Sequence, residues 1–218
     1  MTSSATDGAP ARLAGAALVM LPLLAPGVYA AVAWFDGRLD RSVLLKEWGP
    51  LELLHEALTA VAAVLFYQSW RRGTGAVRVA GGALAMLAVA AFVREIDVKR
   101  ISTVIGWDCL NWLSDHGLQE ILLVAMTFPI LIYLYINRSQ FLNLLKLGLR
   151  WQAWALYLSA ILVFGGVYLD GRSINGTLMV FWEELLETYS FVFFVVAAWR
   201  HLQLVDDPAW NDAQALPG

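Results

Sequence analysis

Phe181-Trp182-Glu183-Glu184-Leu185-Leu186-Glu187 is an acidic patch where lipid-facing sequence is expected. It opens an otherwise apolar run from Gly176 to Trp199. A run of that length crosses a bilayer, which takes about 20 apolar residues. At ~1.5 Å per residue, Glu187 lies ~17 Å along the run from Gly176, near mid-membrane. A lone carboxylate there costs at least ~2.5 kcal/mol. It has to be protonated, paired or coordinated, so the question is what else gathers around these acids.

The rest of the chain agrees with a membrane setting. It has 218 residues, 59% of them hydrophobic and 15% charged, with a mean hydropathy of +0.61. Soluble domains carry about 25% charged residues. The expected fold is all-α: a polytopic transmembrane helical bundle with spans near 13–35, 50–70, 76–94, 116–137, 152–169 and 176–200. Trp34, Trp48, Trp70, Trp151, Trp154, Tyr168, Trp182 and Trp199 cluster at the span ends, as interfacial belts do. Pro22, Pro26 and Pro129 fall inside spans, where neighbouring helices re-satisfy the freed carbonyls. Two short interfacial helices are predicted, over 98–114 and 138–150. The second sets Leu142, Leu145 and Leu149 apart from Arg138, Lys146 and Arg150, a basic amphipathic pattern suited to an anionic leaflet.

The domain reading is a disordered tail over 1–12, one six-helix domain over 13–203 and a flexible tail over 204–218. Arg12, an apolar run and Val28-Tyr29-Ala30 imitate a signal peptide, but the run continues through Phe35, long enough to span. The 71–78 and 138–150 loops are basic without any acid, the usual cytoplasmic pattern, which puts both termini inside a bacterial inner membrane. The net charge of -3 comes with no basic stripe, so nucleic acid is not an expected partner. Membrane lipids are, along with a membrane-protein partner or a second copy of the chain. Cys109 is the only cysteine, which excludes an internal disulfide, and no CxxC or Cys/His zinc pattern occurs.

Short echoes link two hairpins. Phe35-Asp36-Gly37-Arg38 and Leu169-Asp170-Gly171-Arg172 precede spans carrying Glu52-Leu53-Leu54-His55 and Glu184-Leu185-Leu186-Glu187, which end in Trp70-Arg71 and Trp199-Arg200. Spans 1–2 and 5–6 then read as related units, a device of membrane proteins; coincidence in a Leu-rich chain is the competing account.

Glu52, His55, Glu56 and Thr59 stand at i, i+3, i+4 and i+7, one face of a helix. Glu183, Glu187 and Ser190 share a face in the last span, and Glu184 with Glu187 makes an i, i+3 pair. His116 and Glu120 are one turn apart, and Arg94 and Glu95 close the third span. All of these groups fall near the outer membrane face. Glu-x-x-His is the half-site of di-metal carboxylate bundles. Oxygen ligands plus imidazole suit Zn, Mn or Fe. The candidate metal ligands are therefore Glu52, His55, His116, Glu120, Glu183 and Glu187, with Glu56 or Glu184 as general base and Arg94 and Glu95 close by. The plainer alternative is that Glu52 and Glu183 serve the helix macrodipole and Arg94 locks the bundle by pairing with Glu56 or Glu187. His201 reads as an interfacial residue. Haem, phosphate-loop, Ser-elbow and His-box chemistries all lack their residues.

At Glu47-Trp48-Gly49-Pro50-Leu51-Glu52, Phe92-Val93-Arg94-Glu95-Ile96 and Trp182-Glu183-Glu184-Leu185-Leu186-Glu187, the chain resembles a broad group of uncharacterised bacterial polytopic membrane proteins. Those carry Gly-Pro-x-Glu, Glu-Glu-Ile-Ser-Trp-Gly-Gln-like and Glu-Glu-x-x-Glu motifs at span ends. This chain departs at the middle motif, where Arg94 replaces the first glutamate and Asp97-Val98-Lys99 replaces Ser-Trp-Gly. The resemblance implies architecture and a buried acidic site, and no reaction. Two functions follow from the residues: a metal-dependent enzyme acting on a lipid or lipid-linked substrate, or a non-catalytic accessory or transport protein whose acids handle protons or cations or lock a partner interface.

Overall fold

The computed structural model describes residues 50–95, 118–150, 153–169 and 176–206. These are helical almost throughout. In chain order they form α1 (Pro50–Arg72), α2 (Gly75–Glu95), α3 (Leu118–Ile136), a 3-10 turn (Arg138–Gln140), α4 (Phe141–Gly148), α5 (Trp154–Leu169), α6 (Gly176–Gln203) and a second 3-10 turn (Leu204–Asp206). The expected spans from 50 onward coincide with α1, α2, α3, α5 and α6. The expected span 13–35, the 98–114 segment, His116, Cys109 and the 1–12 tail lie outside the described residues.

Pro50 opens α1, where its missing N–H costs nothing and its fixed φ suits a helix. Arg71 and Arg72 close that helix, and Arg200 and His201 lie in the last turn of α6, each favourable at a negative helix end. Pro129 lies within α3 without ending it. Gly75, at the start of α2, takes a left-handed φ of 48° that glycine adopts at no steric cost.

The long helices alternate in direction. α1 packs on α2 and on α6, α5 packs on α6, and α2 also meets α3 and α4. Contacts between α1 and α6 advance together: His55 with Thr188, Ser69 with His201, Arg72 with Asp206. The two helices therefore run parallel. Contacts between α5 and α6 run the other way, Gly166 against Glu187 and Trp154 against Arg200. One end of the bundle thus gathers Glu56, Glu183, Glu184 and Glu187. The other gathers Arg71, Arg72, Arg78, Arg138 and Arg200.

α1 buries His55, Thr59, Ala62, Phe66 and Ser69, at spacings of four, three, four and three. This is the seam of two helices packed at a shallow angle. Its middle is apolar: the Phe66 ring lies 5.2 Å from Phe194 and 5.9 Å from His201. Close approach between α1 and α2 depends on Gly81, where a Cβ would come within 2.9 Å of the Trp70 backbone nitrogen. On α5 the small residues Ala155, Ser159 and Gly166 are the buried ones. The Ser159 hydroxyl shares a hydrogen bond with that of Ser190 on α6.

Large apolar side chains are exposed along the helices. Phe128, Leu131 and Tyr135 on α3 and Ile161 and Phe164 on α5 are exposed. By length and composition, Gly75–Val93 is the one described helix able to cross a membrane, with Val124–Ile136 and Trp154–Leu169 apolar but shorter. α1 and α6 are long but carry charged and polar groups along their length, His55 and Glu56 in α1 and Glu183, Glu184 and Glu187 in α6. α4 matches the expected amphipathic helix: Leu142, Leu145 and Leu149 are exposed while Leu147 is buried. Leu204 is buried and Arg72 holds Asp206 at 3.1 Å within a 3-10 turn that follows α6, at the start of the segment read as the C-terminal tail.

Candidate metal centre

The site forms because α1 and α6 run parallel and at one level. Their offset is 133 residues at His55–Thr188, 132 at Ser69–His201 and 134 at Arg72–Asp206. That register sets Glu52-Leu53-Leu54-His55 beside Glu184-Leu185-Leu186-Glu187. His55, Glu184 and Glu187 come together, each offering one ligand atom, all within 4.8 Å of one another. His55 is buried at 1% exposure, and the two glutamates are half-buried.

The imidazole is oriented by a chain of hydrogen bonds. The Thr188 hydroxyl donates to the Glu184 carbonyl at 2.7 Å. Its proton is then committed, so at the 2.6 Å contact with His55 Nε2 the hydroxyl oxygen accepts. Nε2 is then the donor in that contact. This is how a ligating histidine is usually held, with one ring nitrogen donating and the other turned to the ion. Phe191 packs against the other side of the ring at 5.1 Å between centroids. One turn on, Thr59 donates to the carbonyls of His55 and Glu56, which keeps its hydroxyl satisfied within α1.

Gly166 on α5 completes the cradle. A Cβ there would lie 3.1 Å from Glu187 Cγ and 3.7 Å from its Oε1. The glycine is the space into which the carboxylate folds. Helix–helix interfaces in membranes use small residues in the same way, to let neighbours approach.

Other expected site residues divide into two groups. Glu183 and Glu56 are half-buried and stand outside the three-residue cluster. Glu184, expected as a general base, belongs to the cluster. Glu52 lies in the first turn of α1, Arg94 and Glu95 in the last turn of α2, and Glu120 in the first turn of α3, but their side chains are outside the described residues, as is His116. His201 departs from expectation. It is buried and donates from Nε2 to the Val77 carbonyl at 2.9 Å, pinning α6 to α2. A hydrogen bond to a backbone acceptor and a ring contact with Phe66 hold it inside, where the hydropathy pattern had set it at the surface.

Thr188 and Gly166 were not singled out by sequence. The signal for Thr188 was its spacing of four from Glu184; the signal for Gly166 was the Gly165-Gly166 pair within an apolar helix. No family model matches the chain, and no curated protein and no solved structure shows significant similarity to it.

Proposed function

We infer that this chain is a multi-pass inner-membrane protein that binds a divalent metal at His55, Glu184 and Glu187 and uses it on a lipid or lipid-linked substrate. The observation that carries the reading is the convergence of one imidazole and two carboxylates within 4.8 Å inside a helical bundle. An ion of about 2.0–2.2 Å bond length fits such a set after small side-chain rotations. Three protein ligands leave a further coordination position for water, the pattern of catalytic sites. Zn, Mn or Fe suits the donors. A bound ion would supply a Lewis acid and an activated water. Glu56, one residue on from His55, is the group we assign to take the proton from that water.

The membrane part of the reading is supported by the exposed apolar faces of α3 and α5, where large side chains such as Phe128, Leu131, Ile161 and Phe164 are left uncovered. The 71–78 and 138–150 turns, basic without any acid, support placing their end in the cytoplasm and the glutamate end outward. The substrate would then enter from the outer leaflet.

Elemental analysis of detergent-purified full-length protein tests the metal. One to two tightly held ions per chain are expected, with loss of the metal in Glu187→Gln. A folded, metal-free preparation that gains thermal stability in Glu187→Gln would overturn the reading in favour of an accessory or transport role.

A further inference from the structure

A second site lies at the opposite end of the bundle. Between α1, α2 and α3 runs an apolar groove of about 510 Å³, lined by Val64, Tyr67, Met86, Val89, Met126 and Pro129 among others. Its far wall is Trp70 and Tyr133. The same two rings also line a second cavity, of about 300 Å³, whose other walls include Arg78, Asn137, Ser139 and Gln140. An apolar channel therefore meets a cationic, donor-rich chamber at an aromatic collar.

The collar is built in. At Gly82 a Cβ would lie 2.6 Å from the Tyr133 hydroxyl oxygen and 2.9 Å from Trp70 Cδ1, so only glycine lets both rings sit there. The Tyr133 hydroxyl also donates to the Arg78 carbonyl at 3.5 Å, tying α3 to the first turn of α2. That turn contains no acid. Arg78 is exposed, and no described carboxylate pairs with it, whereas Arg72 is held by Asp206. The chamber thus has a positive charge, a helix N-terminus and side-chain donors, all complementary to a phosphate.

We propose that this composite groove binds one anionic phospholipid, its acyl chain along α1–α3 and its headgroup phosphate at Arg78. The proposal rests on the membrane reading above. The groove alone would accept the chain of any bilayer lipid; Arg78 beyond the collar, with which no described carboxylate pairs, selects the anionic one. Together the two cavities fall in the size range of small-molecule sites.

Native mass spectrometry of the full-length protein, with equal phosphatidylglycerol and phosphatidylcholine of matched chains, tests it. One retained phosphatidylglycerol is expected, preferred about fivefold, the worth of one arginine at an anionic surface. Arg78→Gln should bring the ratio to parity. Lys146→Gln, at the same end but outside both cavities, should leave the preference intact. Val89→Trp, which fills the apolar half, should lose both lipids while keeping helicity. Equal retention of the two lipids, or an undiminished preference in Arg78→Gln, overturns the proposal. So does a cross-link from Val64→Cys to residues 13–35, which would make the chain's own segment the occupant. Alkaline carbonate extraction separates the two readings. Release of the protein from membranes sinks the membrane reading and the lipid site with it, and retention with no lipid preference sinks the lipid site alone.

Discussion

Thr188 links His55 to the backbone of α6 at the candidate centre. Its hydroxyl faces His55 Nε2 on one side and the Glu184 carbonyl on the other. Thr188→Val keeps the shape and removes both bonds, leaving a buried imidazole N–H without its acceptor. Thermal unfolding should register a loss of about 1–3 kcal/mol. Metal affinity, read by competition with a chelating dye, should fall about 10- to 100-fold, the usual effect of losing the group that orients a ligand. Thr188→Ser should restore most of both; unchanged affinity in Thr188→Val would refute the orienting role. Gly166→Val probes the other wall. The added side chain must meet Glu187, so the carboxylate swings away and bound metal per chain should drop while helicity persists. Full metal occupancy in that variant would show that Glu187 is not a ligand.

At the scale of elements, the α1–α2 hairpin is set by small residues. A methyl at Gly81 would press on the backbone of Trp70, which cannot rotate away as a side chain could. Gly81→Ala should therefore cost about 1–3 kcal/mol through forced separation of the helices, measurable as a lowered unfolding midpoint. A neutral result would mean that α1 shifts along α2 freely. The Arg72–Asp206 pair gives the contrast. Both partners are more than half exposed, at 54% and 68%, and such pairs contribute about 0–1 kcal/mol. Asp206→Asn should leave the midpoint nearly unmoved, and a large drop would show that the terminal turn bears load through this pair. Among helices, α2 was the easiest to recognise, because nothing polar interrupts it between Arg78 and Arg94. α1 and α6 combine helical length with buried His55, Thr59, Thr188 and Ser190, so their apolar signal is diluted by polar groups turned inward.

For the whole molecule, the alternation of α1, α2, α3, α5 and α6 puts the 73–74 turn, α4 and the end of α6 on one side. Reporter fusions at Gly73 and Gly218 are therefore expected to give cytoplasmic signals; a periplasmic signal at Gly73 would invert the proposed orientation. The amino-acid sequence alone determined that the chain is helical, roughly where the helices from Pro50 onward run, that α4 is amphipathic, and that the glutamates of α1 and α6 lie at the same end. These are local properties, carried by apolar run length and by charges at helix ends. It could not determine which acids meet. Glu56, Glu183, Glu184 and Glu187 look equivalent along the chain, and the choice of Glu184 and Glu187 depends on the parallel register of α1 with α6. His201 shows the same limit, since a polar residue near a helix end looks interfacial until the Val77 carbonyl is found within 2.9 Å of it. Nor could sequence pair Trp70 with Tyr133 across Gly82, residues brought together only by the packing of α1, α2 and α3. Helix formation is decided within a few turns, whereas a site assembled from separate helices is decided by how their surfaces interlock, and that information belongs to the tertiary structure.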